Sequence, residues 1–175
     1  YVPTIPESAV VLMNKSSVNY RICSELNKNI QVINKPNPTE LMKAVKNPVE
    51  VDNTRLAHVK DGVAVTMFMY WLKTNIGKIP MTEISASDYL EARRREQENF
   101  IDLSFTTISA YGANAAMMHY SATPESNTEL KPEGFLLVDS GGHYYEGTTD
   151  ITRTFVLGTI SDEMKQHFTA VCRSN

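Results

Sequence analysis

Cysteine is almost missing from this sequence: Cys23 and Cys172 are the two in 175 residues. Two thiols so far apart cannot form the disulfide framework of a small secreted domain, so the expectation is a reducing compartment and two plain buried thiols. Long apolar runs are missing as well. No stretch approaches the ~20 apolar residues of a membrane-spanning helix, and the chain opens at Tyr1 without the charged and apolar regions of a signal peptide. There is no basic run either. Arg93 to Arg95 is followed by Glu96 and Glu98 on a predicted helix, where pairing on a solvated face is the reading. With a net charge of -3, broad attraction to nucleic acid or acidic lipid is excluded. Internal repeats and low-complexity tracts are lacking too, which excludes solenoid and array folds.

What remains is an ordinary globular composition, 42% hydrophobic and 21% charged, long enough for one sizeable core or for one domain plus part of another. The chain reads as a fragment of a longer protein. Ala9 to Met13 and Ile30 to Ile33 are apolar segments around a polar helical stretch near Ser17 to Asn27, which suits the tail of an α/β unit. Lys35-Pro36-Asn37-Pro38 then breaks the pattern; two prolines in four residues exclude helix and mark a linker.

Two helices follow. Asn47 and Pro48 open the first, and Leu56, Val59, Val63, Met67 and Tyr70 run along one face toward Gly77, predicting a long core-facing helix. Ser85 and Asp88 resemble a capping box for a second, charged helix through about Asn99, expected at the surface. Strands dominate up to Ser161, which caps a last helix with Met164, Phe168, Val171 and Cys172 on one stripe.

The most informative stretch runs from Leu136 to Phe155. Phe135 to Val138 and Ile151 to Leu157 read as strands, and Gly141, Gly142 and Gly147 punctuate a turn between them. An antiparallel hairpin centred near Tyr144 and Tyr145 would set Asp139 opposite Asp150, with Cβ atoms about 4.5–5.5 Å apart. At an effective dielectric near 20, two unit charges at about 5 Å cost roughly 3 kcal/mol, so a shared proton or a bound cation must compensate.

Three chemistries use such a pair. Leu136-Leu137-Val138-Asp139-Ser140-Gly141 has the short pattern of an aspartic protease, but Thr149-Asp150-Ile151-Thr152 is not the second copy such an enzyme needs. A phosphate-binding turn lacks its further glycine-rich loops and lysine. Divalent metal uses both carboxylates: two ions about 3.5–4 Å apart can activate water against a carbonyl, with further His or Glu ligands required. A purely structural alternative pairs Asp150 with Arg153 or another cation and lets Asp139 cap the following turn. Among the histidines, His58 and His167 read as structural or solvated helix residues, and His143 as a solvated turn residue. His119 ends an apolar run as Asp139 does, after a turn at Gly112 and Asn114, and from its residues alone reads as structural.

Asp139-Ser-Gly-Gly-His-Tyr-Tyr-Glu-Gly-Thr-Thr-Asp-Ile-Thr-Arg-Thr resembles the first two metal ligands of the aminopeptidase P branch of the creatinase, prolidase and methionine aminopeptidase superfamily. The likeness extends upstream through Leu41-Met-Lys-Ala-Val-Lys-Asn, Ala57-His-Val-Lys-Asp-Gly, Thr82-Glu-Ile-Ser-Ala, Asp102-Leu-Ser-Phe, Gly112-Ala-Asn-Ala and His119-Tyr, which are similar to three-domain, cytosolic-type Xaa-Pro aminopeptidases. The resemblance implies a mixed α/β fold: residues 37–175 as the amino-terminal part of a pita-bread peptidase domain, and residues 1–36 as the end of a creatinase-type α/β domain with its linker.

It implies a dinuclear centre, commonly manganese, with Asp139 and Asp150 as ligands; carboxylates accept zinc, cobalt or iron as well. His119 matches a substrate-contacting histidine. Thr152, two residues beyond Asp150 on the same strand face, is placed to hydrogen-bond a water at the metal. The implied substrate is a peptide with proline at its second position, and the intact protein is implied to be a cytoplasmic homodimer. The remaining ligands, one histidine and two glutamates, have no matching motif before Asn175, so the chain alone is expected to be inactive. A reading from another class is a non-catalytic pita-bread module that binds peptide or protein.

Overall fold

The computed structural model describes residues 1–175, which form two compact units, Tyr1–Asn47 and Pro48–Asn175. In the first, strand β1 (Val10–Met13) and strand β2 (Gln31–Asn34) pair in parallel. Parallel strands need a crossover, and helix α1 (Tyr20–Glu25) supplies it, capped by the Asn19 side chain accepting from the Arg21 N–H. Helix α2 (Pro38–Ala44) corrects the expectation that the prolines exclude helix. Asn37 caps it, and Pro38 takes the first helical position, where a missing N–H costs nothing. Neither cysteine is buried: Cys23 is half-buried and Cys172 exposed, both as free thiols.

The second unit opens with helix α3 (Pro48–Asn75), starting where Asn47-Pro48 predicts. Helix α4 (Glu83–Arg95) starts earlier than expected, because Thr82 and not Ser85 is the cap: Thr82 and Ser85 bond each other's backbone N–H groups reciprocally. Strands β4 (Ile108–Tyr111), β5 (Phe135–Ser140) and β8 (Ile151–Val156) form an antiparallel sheet with β5 in the centre. Strands β3 (Phe100–Leu103), β6 (Gly142–Tyr144) and β7 (Gly147–Thr148) form a second one. Helix α5 (Asp162–Ser174) closes the chain, with the Ser161 hydroxyl accepting from Met164 as expected.

Phe68 and Leu72 of α3 and Ala86 and Leu90 of α4 pack against Leu136 and Val138 of β5 and Phe155 of β8. Phe68 meets Phe155 edge to face, with ring centroids 5.6 Å apart. Each fully buried side chain of this size contributes about 1.5–3 kcal/mol, so this cluster fixes α3 and α4 to one face of the β4-β5-β8 sheet.

The face that α3 buries is not the one its apolar stripe predicts. Ala57, Asp61, Ala64, Phe68 and Leu72 are buried, whereas Leu56, Val59, Val63, Met67 and Tyr70 are 40–72% exposed. The two sets are roughly 140° apart around the helix, so α3 is apolar on two faces and periodicity alone cannot choose between them. Small Ala57 and Ala64 let α3 approach its neighbours closely.

Candidate metal centre

The hairpin expected between the two aspartates forms, but it is longer and its centre is shifted. Tyr144 faces Gly147 and His143 faces Thr148 in the outer part, while Ser140 faces Ile151 and Asp139 faces Thr152 in the inner part. One register therefore runs from end to end, and the tip is Tyr145 and Glu146. His143 is a strand residue rather than a turn residue, with Nδ1 2.9 Å from the Thr148 hydroxyl. The tip is fixed from outside: Glu146 Oε1 accepts from Lys60 Nζ of α3 at 2.6 Å and from Asn99 Nδ2 at 2.7 Å. These hydrogen bonds hold the Glu146 carboxyl down at about 2, against 4.5 ordinarily.

Moving the centre by one residue moves each pairing by two, which preserves the face of every side chain but changes its partner. Asp139 is opposite Thr152, not Asp150, and the Thr152 hydroxyl donates to Asp139 Oδ1 at 2.6 Å. Thr152 thus acts on the carboxylate itself. Asp150 falls in the rung opposite Gly141, where the ladder breaks. Buried Thr149 accepts from the Gly142 N–H through its hydroxyl, at 2.9 Å, and turns its carbonyl to the Ser104 hydroxyl, also at 2.9 Å. A Cβ on residue 141 would lie 2.0 Å from that carbonyl oxygen. Glycine at 141 allows the close approach, and the departure of the chain from the ladder releases Asp150 to solvent.

Arg153 does not pair with Asp150; its Nη1 donates to the Thr152 carbonyl. Neither aspartate has a cationic side chain within ion-pair distance. Two hard carboxylates on the two arms of one hairpin, with no protein cation to neutralise them, suit a divalent ion. No third His, Cys, Asp or Glu joins them, so within this chain the set fits part of a metal site and not a whole one.

On the side of β5 that carries Asp139, the preceding rung is Leu137 opposite Thr154. Both residues line an apolar groove of about 530 Å³ that is also bounded by Tyr111, Gly112, Phe135 and Met164. The segment that continues from Gly112 carries His119. It stands in an exposed turn, bonded to neither aspartate, with φ +55°, a conformation that costs a non-glycine residue about 1–2 kcal/mol.

Two buried clusters, one of them next to Asp139, are not marked by local sequence pattern. Asp61 and Arg94 are fully buried and joined by a two-pronged ion pair of 2.6 and 3.1 Å. Arg94 Nη2 also donates to Ser140 Oγ at 3.0 Å, next to Asp139, and the Tyr144 hydroxyl donates to Asp61 at 3.1 Å. Burial first, and Asp61 second, push the Tyr144 phenol above its usual range, so it stays a donor. Arg94 therefore corrects the reading of the arginine triplet as solvated: Arg93 does pair with Glu96, while Arg94 turns inward. The second cluster surrounds Glu83.

Residues 52–175 match the sequence model of metallopeptidase family M24. Aminopeptidase P1 of Arabidopsis thaliana is 38% identical over 93% of this chain, and Xaa-Pro aminopeptidase 2 of Mus musculus 39% over 94%. The chain spans 28% and 24% of the lengths of these two relatives. Among solved structures, an X-prolyl aminopeptidase from Caenorhabditis elegans, described as a cytosolic enzyme with a di-nuclear active site, superposes with a TM-score of 0.78. It is 32% identical, over 88% of this chain and 25% of its own. X-Pro aminopeptidase from Thermotoga maritima shares the fold, with a TM-score of 0.68 at 24% identity over 94% of this chain and 45% of its own. The mixed α/β architecture is thus part of a pita-bread fold, and the chain belongs to metallopeptidase family M24.

Proposed function

We propose that the protein is a metal-dependent aminopeptidase that removes the residue preceding proline from the amino end of a peptide, and that this chain supplies the first two carboxylates of its metal centre. One observation carries the reading: Asp139 and Asp150 sit on one hairpin, free of any protein cation, beside an apolar groove. The similarity to Xaa-Pro aminopeptidases supports the substrate class.

Two divalent ions, manganese in this proposal, would supply Lewis-acid polarisation of the scissile carbonyl and an activated water. The work of the chain is to prepare for them. Asp139 and Asp150 are the ligands, and the Thr152 hydroxyl holds the Asp139 carboxylate in one orientation. Leu137 and Thr154 give the peptide an apolar wall. His119 donates to the carbonyl oxygen as charge develops on it. The cytosolic C. elegans relative supports a cytoplasmic site of action, and the absence of any helix long and apolar enough to cross a membrane is compatible with it.

Hydrolysis of an Xaa-Pro peptide tests the reading. The full-length natural protein loaded with Mn²⁺ should cleave it, and the 175 residues alone should not, because two ligands hold divalent ions poorly. Turnover by the isolated chain would contradict the proposed division of the centre, and failure of the loaded full-length protein on every Xaa-Pro peptide would contradict the activity.

A further inference from the structure

Glu83 is fully buried at the first position of α4 and has no cationic partner. An unpaired carboxylate in such a place is costly unless hydrogen bonds replace its water, and here they come from one stretch of chain. Oε1 accepts from the Tyr111 N–H at 2.6 Å and from Asn114 Nδ2 at 3.0 Å. Oε2 accepts from the Tyr120 hydroxyl at 2.8 Å and from the Thr128 N–H at 3.1 Å. A carboxylate has about four lone-pair sites, and these four donors fill them. Burial of Tyr120 raises its phenol above the usual range; its hydrogen bond with Ser126 partly offsets this and Glu83 adds to it. The hydroxyl therefore remains a donor to Glu83.

The four donors flank the turn that carries His119. Tyr111 and Asn114 precede it, Tyr120 follows it directly, and Thr128 ties down the irregular stretch beyond. Apart from the short 3₁₀ turn Gly112–Ala116, no helix or strand organises the chain between β4 and β5, and His119 holds its left-handed backbone in the middle of this stretch. Strain of that kind persists only where the surroundings over-determine it, and the Glu83 hydrogen bonds to Asn114 and Tyr120 close on either side of it.

We infer that Glu83 is a positioning residue: its buried carboxylate gathers the segment from Tyr111 to Thr128 and thereby fixes the turn that presents His119 to the substrate. The inference rests on the catalytic reading of His119 proposed above. Glutamine at 83 keeps the size but replaces one acceptor by an NH₂ that faces donors, so the segment should loosen while the carboxylates of the hairpin stay in place.

The test is Glu83→Gln in the full-length natural protein, read by amide hydrogen exchange, steady-state kinetics and metal content. Exchange over residues 112–120 should accelerate about tenfold or more with α3 unchanged. Likewise kcat should fall about tenfold or more, with KM within about twofold and manganese stoichiometry unaltered. The double variant Glu83→Gln/His119→Ala should be no slower than His119→Ala, since a residue acting through another adds nothing once that other is gone. Tyr120→Phe, which removes one donor and keeps the ring, should loosen the same turn to a smaller degree and serves if Glu83→Gln does not fold. An unmoved turn in both variants, or rate losses that add in the double variant, would overturn the inference. A loosened turn together with full activity of His119→Ala would instead overturn the role of His119 and uphold the link from Glu83 to the turn.

Discussion

Asp139 and Thr152 face each other across β5 and β8, and the Thr152 hydroxyl donates a 2.6 Å hydrogen bond to one oxygen of the Asp139 carboxylate. A ligand held in one orientation before the ion arrives loses less freedom on binding it. Thr152→Val keeps the branched shape and removes the donor. Manganese affinity of the full-length natural protein should weaken about 10–100-fold, as when other partners of metal ligands are removed. The unfolding free energy should change by less than about 1 kcal/mol, because the bond is exposed to solvent. Thr152→Ser should retain most of the affinity; calorimetric titration and urea unfolding separate the two effects.

Gly141 decides where Asp150 stands. Its added Cβ would lie 2.0 Å from the Thr149 carbonyl oxygen and 2.4 Å from the Ser104 hydroxyl. Gly141→Ala must push the two strands apart at that rung, at a cost of about 3 kcal/mol or more, and should lower metal affinity together with the unfolding midpoint. Gly62→Ala, where nothing lies within 4 Å, is the control that should do neither.

Asp61 and Arg94 test whether the floor beneath Asp139 is held electrostatically. Arg94→Met leaves Asp61 buried without its cation and should cost about 3–5 kcal/mol in guanidinium unfolding. Asp61→Leu/Arg94→Met removes both charges and should recover part of the loss. The recovery is incomplete because Tyr144 and Ser140 still lose a partner each.

Glu146 makes the hairpin tip sensitive to acid. Its carboxyl is held near 2 in the fold, against 4.5 when unperturbed, so its ionised form is the one the fold stabilises. The stability it contributes is present in full above about 4.5 and is lost as pH falls from there through about 2. Glu146→Gln should therefore be less stable than the parent chain at neutral pH, and the gap should close on acidification toward pH 2. Denaturant midpoints measured along that range check it.

Much of this architecture is legible in the sequence because local chemistry writes it. Asn47-Pro48 marks the start of α3, Ser161 caps α5, and the apolar runs around Asp139 and Asp150 define β5 and β8. Long-range pairings are what the sequence hides. The tip of the hairpin lies at Tyr145 and Glu146 because Lys60, far back in α3, holds Glu146, and no local pattern distinguishes that centre from one a residue earlier. Arg94 looks like the middle of a solvated triplet until Asp61 is seen between Ala57 and Ala64 on the buried face of α3. A charged residue at the centre of an otherwise apolar i, i+4, i+7 face was the available signal. Glu83 resembles an ordinary first-turn acid favoured by the helix dipole; only tertiary structure brings Tyr111, Asn114, Tyr120 and Thr128 around it.

Asp150→Ala in the full-length natural protein, assayed in one preparation for bound manganese and for Xaa-Pro hydrolysis, probes the proposed metal centre most directly. Removal of an uncompensated carboxylate from a shared site should reduce metal content and turnover together while the fold, followed by circular dichroism, stays intact. Full manganese occupancy with a normal rate would contradict the assignment of Asp150 as a ligand.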